Sequence, residues 1–238
     1  MENETKKCNL SPAVSILIAG VIVAGAVILS SRVGGGAVAA QPTQQPAAAP
    51  IAADVRKVNT AGEPFIGNVN TPVTMAYWYD YQCPFCQRNE ENAMPQLLKE
   101  YVDTGKVKIV FKDYEFLGPD SQTLGQYSRA VWEAVPGKFY QWHKAIFDNQ
   151  GTENTGWASK DKILSITTTV LGAGDSAKVT QLVATKSAEY QKQMDADKTE
   201  GTAMGINGTP GAIIGKQLVS GAVPYAQYQT AIEAALNR

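Results

Sequence analysis

Within "YWYDYQCPFCQRNEENAMP" two cysteines, Cys83 and Cys86, stand either side of Pro84 and Phe85, where a β-like run gives way to a helix-like one. A C-x-x-C pair can be a redox centre, half of a metal site or a structural staple. The metal reading needs two further ligands, and apart from carboxylates the chain offers only Cys8 and its single histidine, His143. A staple across so short a loop removes little chain entropy. Redox chemistry suits the setting better. The attacking species is a thiolate, and a free thiol with a pKa near about 8.5 is mostly protonated at neutral pH. Unpaired N–H groups and the dipole at a helix N-terminus stabilise the anion, so Cys83 is expected to be the nucleophile, with a lowered pKa. Cys86, one turn on, is expected to face inward and to attack a mixed disulfide formed at Cys83, the resolving role. Pro84 stiffens the turn, and Phe85 supplies apolar contact surface. A histidine between the cysteines could stabilise the thiolate further, and its absence argues for a less extreme oxidant.

A second element lies far along the chain in "GINGTPGAII", where Thr209-Pro210 precedes a strand-like run. Cis peptides are almost confined to X-Pro bonds. A cis-proline loop beside the sulfurs would present the Thr209 backbone to an extended substrate segment.

These pieces need a scaffold. "TPVTMAYWYDY" (71–81) is β-branched and aromatic and reads as a strand buried on both faces. Pro84 fits a first helical turn, and the helix runs to a stop at Gly105, kinked by Pro95. "KVKIVFKDYEF" (106–116) is a second strand, giving a right-handed βαβ unit with a parallel pair. From about 121 to 204 the spacing is helical throughout, so a helical block is inserted before two short strands joined around Gly215-Lys216. A last helix covers Pro224 to Leu236.

The chain has 238 residues, long enough for one sizeable domain with accessories. With 21 basic and 22 acidic residues, a net charge of −1, it has no basic stripe for nucleic acid. Its N-terminus is distinctive: from Cys8 to Ser31 there is no charged residue. About 20 such residues span a bilayer core of about 30 Å. Lys6 and Lys7 before the run and Arg32 after it place the N-terminus on the cytoplasmic side. The expected organisation is a short tail (1–11), a transmembrane anchor or uncleaved signal (12–31), a Gly/Ala/Pro/Gln-rich linker (32–53) and a folded domain (54–238) outside the cytoplasm. "AVAAQ" (37–41) carries a small-residue cleavage pattern, but the apolar run is longer than a typical signal core, which favours a retained single-pass anchor in the cell membrane. Cys8 then reads as an inert juxtamembrane thiol, and His143, among aromatics, as a packed side chain.

The stretch "EPFIGNVNTPVTMAYWYDYQCPFC", the kinked helix after it, the helical block and "GINGTPGAIIG" together resemble the thioredoxin superfamily, and within it the DsbA-like thiol-disulfide oxidoreductases of bacterial envelopes. The resemblance covers nearly everything from Asp54 onward. It implies an α/β thioredoxin fold with an inserted helical subdomain, Cys83 as attacking sulfur, Cys86 as its partner, and Thr209-Pro210 as the cis-proline loop. It implies no cofactor beyond the redox-active Cys83–Cys86 disulfide. It also implies exported protein substrates with cysteines and reoxidation by a quinone-linked membrane thiol oxidase, DsbB-like or VKOR-like. One position departs from the family. Members often carry a buried acid six residues before the first cysteine, which assists proton transfer at the resolving thiol; here that residue is Tyr77. Asp80 remains as a nearby carboxylate and a candidate for proton transfer, and Glu115 is another acid of undetermined position. The expected function is donation of disulfides to exported proteins. A reductase or isomerase would use the same dithiol, since direction depends on the reduction potential. A non-catalytic client-binding module is the reading from a different class.

Overall fold

The computed structural model describes residues 53–237. The expected tail, anchor and linker, with Cys8, lie outside the described residues, apart from Ala53 at the linker's end. Among the described residues no helix is long and apolar enough to cross a membrane.

Five strands form one sheet: β1 (Phe65–Ile66), β2 (Val73–Tyr79), β3 (Val107–Asp113), β4 (Gly211–Ile214) and β5 (Gln217–Ser220), in the order β1-β3-β2-β4-β5. β2 and β3 pair in parallel, from Val73 opposite Val107 to Tyr79 opposite Asp113, and the other neighbours are antiparallel. β2 is therefore flanked on both edges, and its alternation sends Met75, Tyr77 and Tyr79 to one core and Ala76 and Trp78 to another. That two-sided burial is why the strand reads as a nearly unbroken apolar run.

The crossover from β2 to β3 is the helix α1 (Pro84–Asn92) followed by α2 (Met94–Leu97) and a π-helical turn (Leu98–Val102). The break falls at Ala93, just before Pro95, because proline has no N–H to give to the preceding turn and its ring crowds the carbonyl there. The π-helical turn was not foreseen. Gly105 closes the crossover at φ +73°, a conformation that side chains rarely adopt.

Between β3 and β4 lie four α-helices, α3 (Pro119–Ala134), α4 (Phe139–Asp148), α5 (Lys160–Leu171) and α6 (Ala173–Ala203), with a short 3-10 turn (Pro136–Lys138) joining the first two. This is the helical block expected at about 121–204. α6 approaches the sheet closely enough that a Cβ at Gly201 would come within 2.7 Å of Trp78 Nε1, and the indole donates to the Asp197 carbonyl at 3.0 Å. The last helix, α7 (Tyr225–Leu236), starts from Pro224 as its N-cap.

Candidate active site

β2 ends at Tyr79, and four residues later Cys83 is the N-cap of α1, with extended backbone and Pro84 at the first helical position. The intervening loop is held from several directions. Asp80 is fully buried: its Oδ1 accepts from the Gln82 amide at 2.8 Å and the Ser121 hydroxyl at 2.6 Å, and its Oδ2 from the Phe116 and Leu117 amides at 2.9 and 3.1 Å. An ionised carboxylate has about four acceptor positions. All are taken, so the geometry gives Asp80 the work of fixing the loop rather than the expected one of carrying protons. Gln150 donates to the carbonyls of Tyr81 and Cys83 at 2.6 and 3.2 Å, and Gln82 Oε1 accepts from the Asn154 amide at 3.0 Å. Sequence reasoning missed Gln82, Ser121, Gln150 and Asn154.

Both thiols are free, and they differ sharply. Cys83 is 3% exposed and Cys86 fully buried. Hydrogen bonding from the Cys86 thiol leads the forces that bring Cys83 down from an ordinary 9.0 to about 6, against the opposing effect of burial; the Thr209 side chain and the Cys86 and Phe85 amides add to it. Cys86 moves the other way. Burial and then its hydrogen bond and charge repulsion with Cys83 raise it well above the ordinary thiol range. Such an arrangement holds one sulfur as a ready anion and keeps the other neutral until it is called upon. The thiolate absorbance of the reduced protein at 240 nm should therefore titrate with a midpoint of about 6. Cys83→Ser should abolish that step; a single transition near an unperturbed thiol value would contradict the geometry. Because the folded pKa is lowered, the reduced protein gains stability from this group above the ordinary thiol pKa and loses it as pH falls through about 6.

The Thr209-Pro210 peptide is cis, as expected, and sits against the sulfurs: the Cys83 thiol donates to the Thr209 carbonyl at 3.3 Å. That carbonyl is thus occupied while Cys83 is protonated, where the sequence suggested a free one. A groove with a cavity of ≈ 230 Å³, lined by Asn207, Thr209, Pro210, Gly211, Ser220 and Gly221 among others, opens beside the loop. Phe85 is 51% exposed under the Arg88 guanidinium, 5.1 Å from its ring centre, and Phe116, on the segment that binds Asp80, is 46% exposed. An exposed ring next to a reactive sulfur, as Phe85 is next to Cys83 and Cys86, offers apolar surface for a bound polypeptide.

The remaining candidates fall elsewhere. The Tyr77 phenol, at the position where the family often has an acid, accepts from the Asn89 side chain at 3.1 Å. Glu115 is buried, and burial followed by the charges of Asp113 and Asp80 raises its carboxyl well above the ordinary range. His143 is fully buried in an aromatic cluster, as its neighbours suggested, and also faces Glu90. Among the described residues no three His, Cys, Asp or Glu side chains are grouped to hold a metal.

A sequence model of the family described as Thioredoxin matches residues 59–234. Disulfide bond formation protein D of Bacillus subtilis is 25% identical over 183 residues, covering 74% of this chain and 78% of the relative. Among solved structures, that of BdbD from Bacillus subtilis in its oxidised form aligns with a TM-score of 0.68 at 22% identity, covering 79% of this chain and 97% of that one. The thiol-disulfide exchange protein alpha-DsbA2 from Wolbachia pipientis aligns with a TM-score of 0.64 at 23% identity, covering 73% and 87%. With more than half its length matched, this chain belongs to the thioredoxin family, as a protein disulfide oxidoreductase.

Proposed function

We propose that this protein is a membrane-tethered, extracytoplasmic oxidase that donates the Cys83–Cys86 disulfide to exported proteins. In the forward reaction a client thiolate attacks Cys83 Sγ. The Cys83–Cys86 bond breaks, Cys86 leaves as a thiolate and takes up a proton, and a mixed disulfide links Cys83 to the client. A second client thiolate then attacks the client sulfur of that bond, closing the client's own disulfide and releasing Cys83 as a thiolate. Two electrons pass from client to protein. Reoxidation reverses the sequence on a partner disulfide, the role we assign to a quinone-linked membrane thiol oxidase, DsbB-like or VKOR-like. Phe85 and the Thr209-Pro210 groove hold the client segment during exchange. The uncharged run at 12–31 and the linker at 32–53 support the tether and the extracytoplasmic position.

The observation that carries the direction is the lowered pKa of Cys83, at about 6. Stabilising the thiolate stabilises the reduced form, and a protein whose reduced form is favoured gives its disulfide away. Reactive cysteines of about 7 in thioredoxin and about 3.5 in DsbA accompany potentials of about −270 and −120 mV. The Cys83–Cys86 couple is accordingly expected to lie between these two. Equilibration of the full chain in glutathione buffers measures it. A potential at or below that of thioredoxin would make the protein an electron donor and replace the oxidase reading with a reductase.

A further inference from the structure

Three glutamines lace the cysteine turn to the inserted helical block. Gln150, just beyond the C-terminus of α4, donates from its carboxamide nitrogen to the Tyr81 carbonyl at 2.6 Å and to the Cys83 carbonyl at 3.2 Å. Gln87 on α1 answers in the other direction. Its side chain donates at 2.9 Å to the Phe147 carbonyl, which also accepts from the Gln150 amide at 3.1 Å. The last four carbonyls of a helix have no partner within it, so a side chain of α1 helps to cap α4. Gln82 lies between the two carbonyls that Gln150 holds. It donates to the Leu117 carbonyl at 2.7 Å and the Ser121 hydroxyl at 3.3 Å, and accepts from the Asn154 amide at 3.0 Å. The Phe147 ring packs on that of Tyr81, with centroids 5.1 Å apart. One short piece of the block, 147–154, thus meets the turn through main chain, carboxamides and ring.

The loop after α4 is shaped to keep Gln150 in place. A Cβ at Gly151 would come within 2.6 Å of Trp157 Cβ, so the loop folds back on the residue next to Gln150 only with glycine there. Asn154 has φ +58°, a left-handed conformation that asparagine tolerates better than most residues. The tie to Cys83 matters because that residue is the N-cap of α1, and its carbonyl also accepts from the Cys86 and Gln87 amides at 3.0 and 3.2 Å. An N-cap residue has extended backbone while its carbonyl already joins the helix. The direction of its Cα–Cβ bond, and hence the place of the sulfur, follows from how that peptide is held. The Cys86 and Phe85 amides that help to lower Cys83 reach the sulfur only while it points at the helix mouth. A carboxamide donates without charge and does not titrate, so the tie is the same whether the thiol is ionised or not.

We propose that Gln150 is a positioning residue for thiol-disulfide exchange, one that acts through the Cys83 carbonyl and makes the end of α4 a working part of the redox centre. The idea rests on the redox reading above, and the bonds made and broken are those given there. Each exchange step at Cys83 brings an attacking sulfur, a central sulfur and a leaving sulfur into line, and a sulfur free to swing loses that alignment. The Gln150 carboxamide bonds two main-chain carbonyls and neither sulfur, so it orients Cys83 without entering the reaction. Stabilisation of the Cys83 thiolate depends on the same orientation. Loss of Gln150 therefore weakens the hydrogen bonds to the anion, and because only the reduced form carries that anion, the reduced form becomes less favourable. The loss is felt in proton affinity and in the disulfide equilibrium together. A residue that merely held the fold together would move neither.

The test compares the full chain carrying Cys8→Ser with the same chain carrying Gln150→Met as well, a side chain of similar length without an N–H donor. Absorbance of the reduced proteins at 240 nm gives the thiolate midpoint, and equilibration with glutathione gives the redox equilibrium constant. In Gln150→Met the midpoint should rise from about 6 by at least about one pH unit. At pH 8 the equilibrium constant for reduction of the disulfide by glutathione should fall by about tenfold for a rise of that size, since both report the same lost stabilisation. Thr167→Val removes the hydrogen bond from the Trp142 indole, 2.9 Å long, within the same block, and its midpoint should stay at about 6. In the chain without either substitution the Gln150 carboxamide protons should exchange with solvent at least about tenfold more slowly than those of an unbonded glutamine. Their resonances should shift with the same midpoint as the thiolate. An unmoved midpoint in Gln150→Met overturns the inference, and so does an equal rise in Thr167→Val. Carboxamide protons that exchange freely and ignore the titration overturn it too, and this measurement decides it even where Gln150→Met does not fold. A chain that exchanges no disulfide with glutathione overturns the redox reading itself, whereas the other three results leave that reading standing.

Discussion

Replacing Cys86 with serine should leave this protein covalently attached to its partners, because the sulfur that remains is the reactive one and the sulfur removed is the one that closes the exchange. Cys83, at about 6, is mostly ionised at neutral pH and attacks any disulfide that reaches the groove. Release from the resulting mixed disulfide then depends on Cys86, which is buried one turn along α1. Cells producing Cys86→Ser are expected to show ladders of high-mass species on non-reducing gels that collapse on reduction. Cys83→Ser should show none and should lose about a thousandfold or more in exchange rate, the scale on which loss of a nucleophile acts. The double serine variant tests the binding-module reading: a client-holding protein keeps its protective effect on an unfolding client without either sulfur, and an oxidoreductase loses its activity. Ladders that persist in Cys83→Ser would move the nucleophile elsewhere.

The parts of this site that depend on local chemistry were legible in the sequence. A strand buried on both faces, proline at a helix start, a second proline that breaks the helix, and Thr-Pro before a strand are each set by neighbouring residues, and all appear where expected. The two-residue strand β1 was not legible, because Phe65–Ile66 is too short for any period to show and exists only through pairing with Val110 and Ile109. The loop clamp by Gln150 and the contact of His143 with Glu90 join residues dozens of positions apart, and no spacing rule brings them together. A signal was nonetheless present. Cys86, Ala93, Met94 and Leu97 mark the inner face of the crossover helices, and Asn89 and Glu90 fall on that same face. A carboxylate on an apolar stripe needs a partner, and its partner could have been sought in the chain's only histidine. Asp80 illustrates the reverse: proximity in sequence to Cys83 suggested chemistry, and the backbone amides of a distant loop took up its oxygens instead.

Arg129→Met is the substitution outside the site expected to do the most damage. Arg129 on α3 is 4% exposed and ion-pairs with Glu63, Asp113 and Asp197. Lys112 on β3, also buried, reaches Asp197 at 2.5 Å, Glu200 at 3.2 Å and Glu63 at 3.3 Å, and donates to the Asn59 carbonyl at 2.9 Å. The cluster thus joins the sheet, both long helices of the inserted block and the segment before β1. Burial opposes ionisation of Lys112 and Arg129, yet the carboxylates outweigh it and raise both. Burial also lifts Glu63 to about 7 against the pull of Arg129, and raises Asp113. Removing the guanidinium leaves buried carboxylates short of a counter-charge, a change that costs about 3–5 kcal/mol. The loss has a predictable pH dependence. Carboxylates with raised folded pKa values favour the native state most below their unfolded values and lose that contribution as pH rises through the folded ones, for Glu63 from an ordinary 4.5 through about 7. Without Arg129 those folded values climb further, so urea denaturation of the oxidised variant should show the largest deficit above neutrality and a smaller one near pH 5, where the stranded groups can take up protons. A deficit of the same size at both pH values would mean that Arg129 acts through packing of its side chain, not through its charge. The reduction potential of the folded variant should stay close to that of the parent protein, since the cluster binds the inserted helices to β3 and the thiolate is set by contacts from Cys86, Phe85 and Thr209.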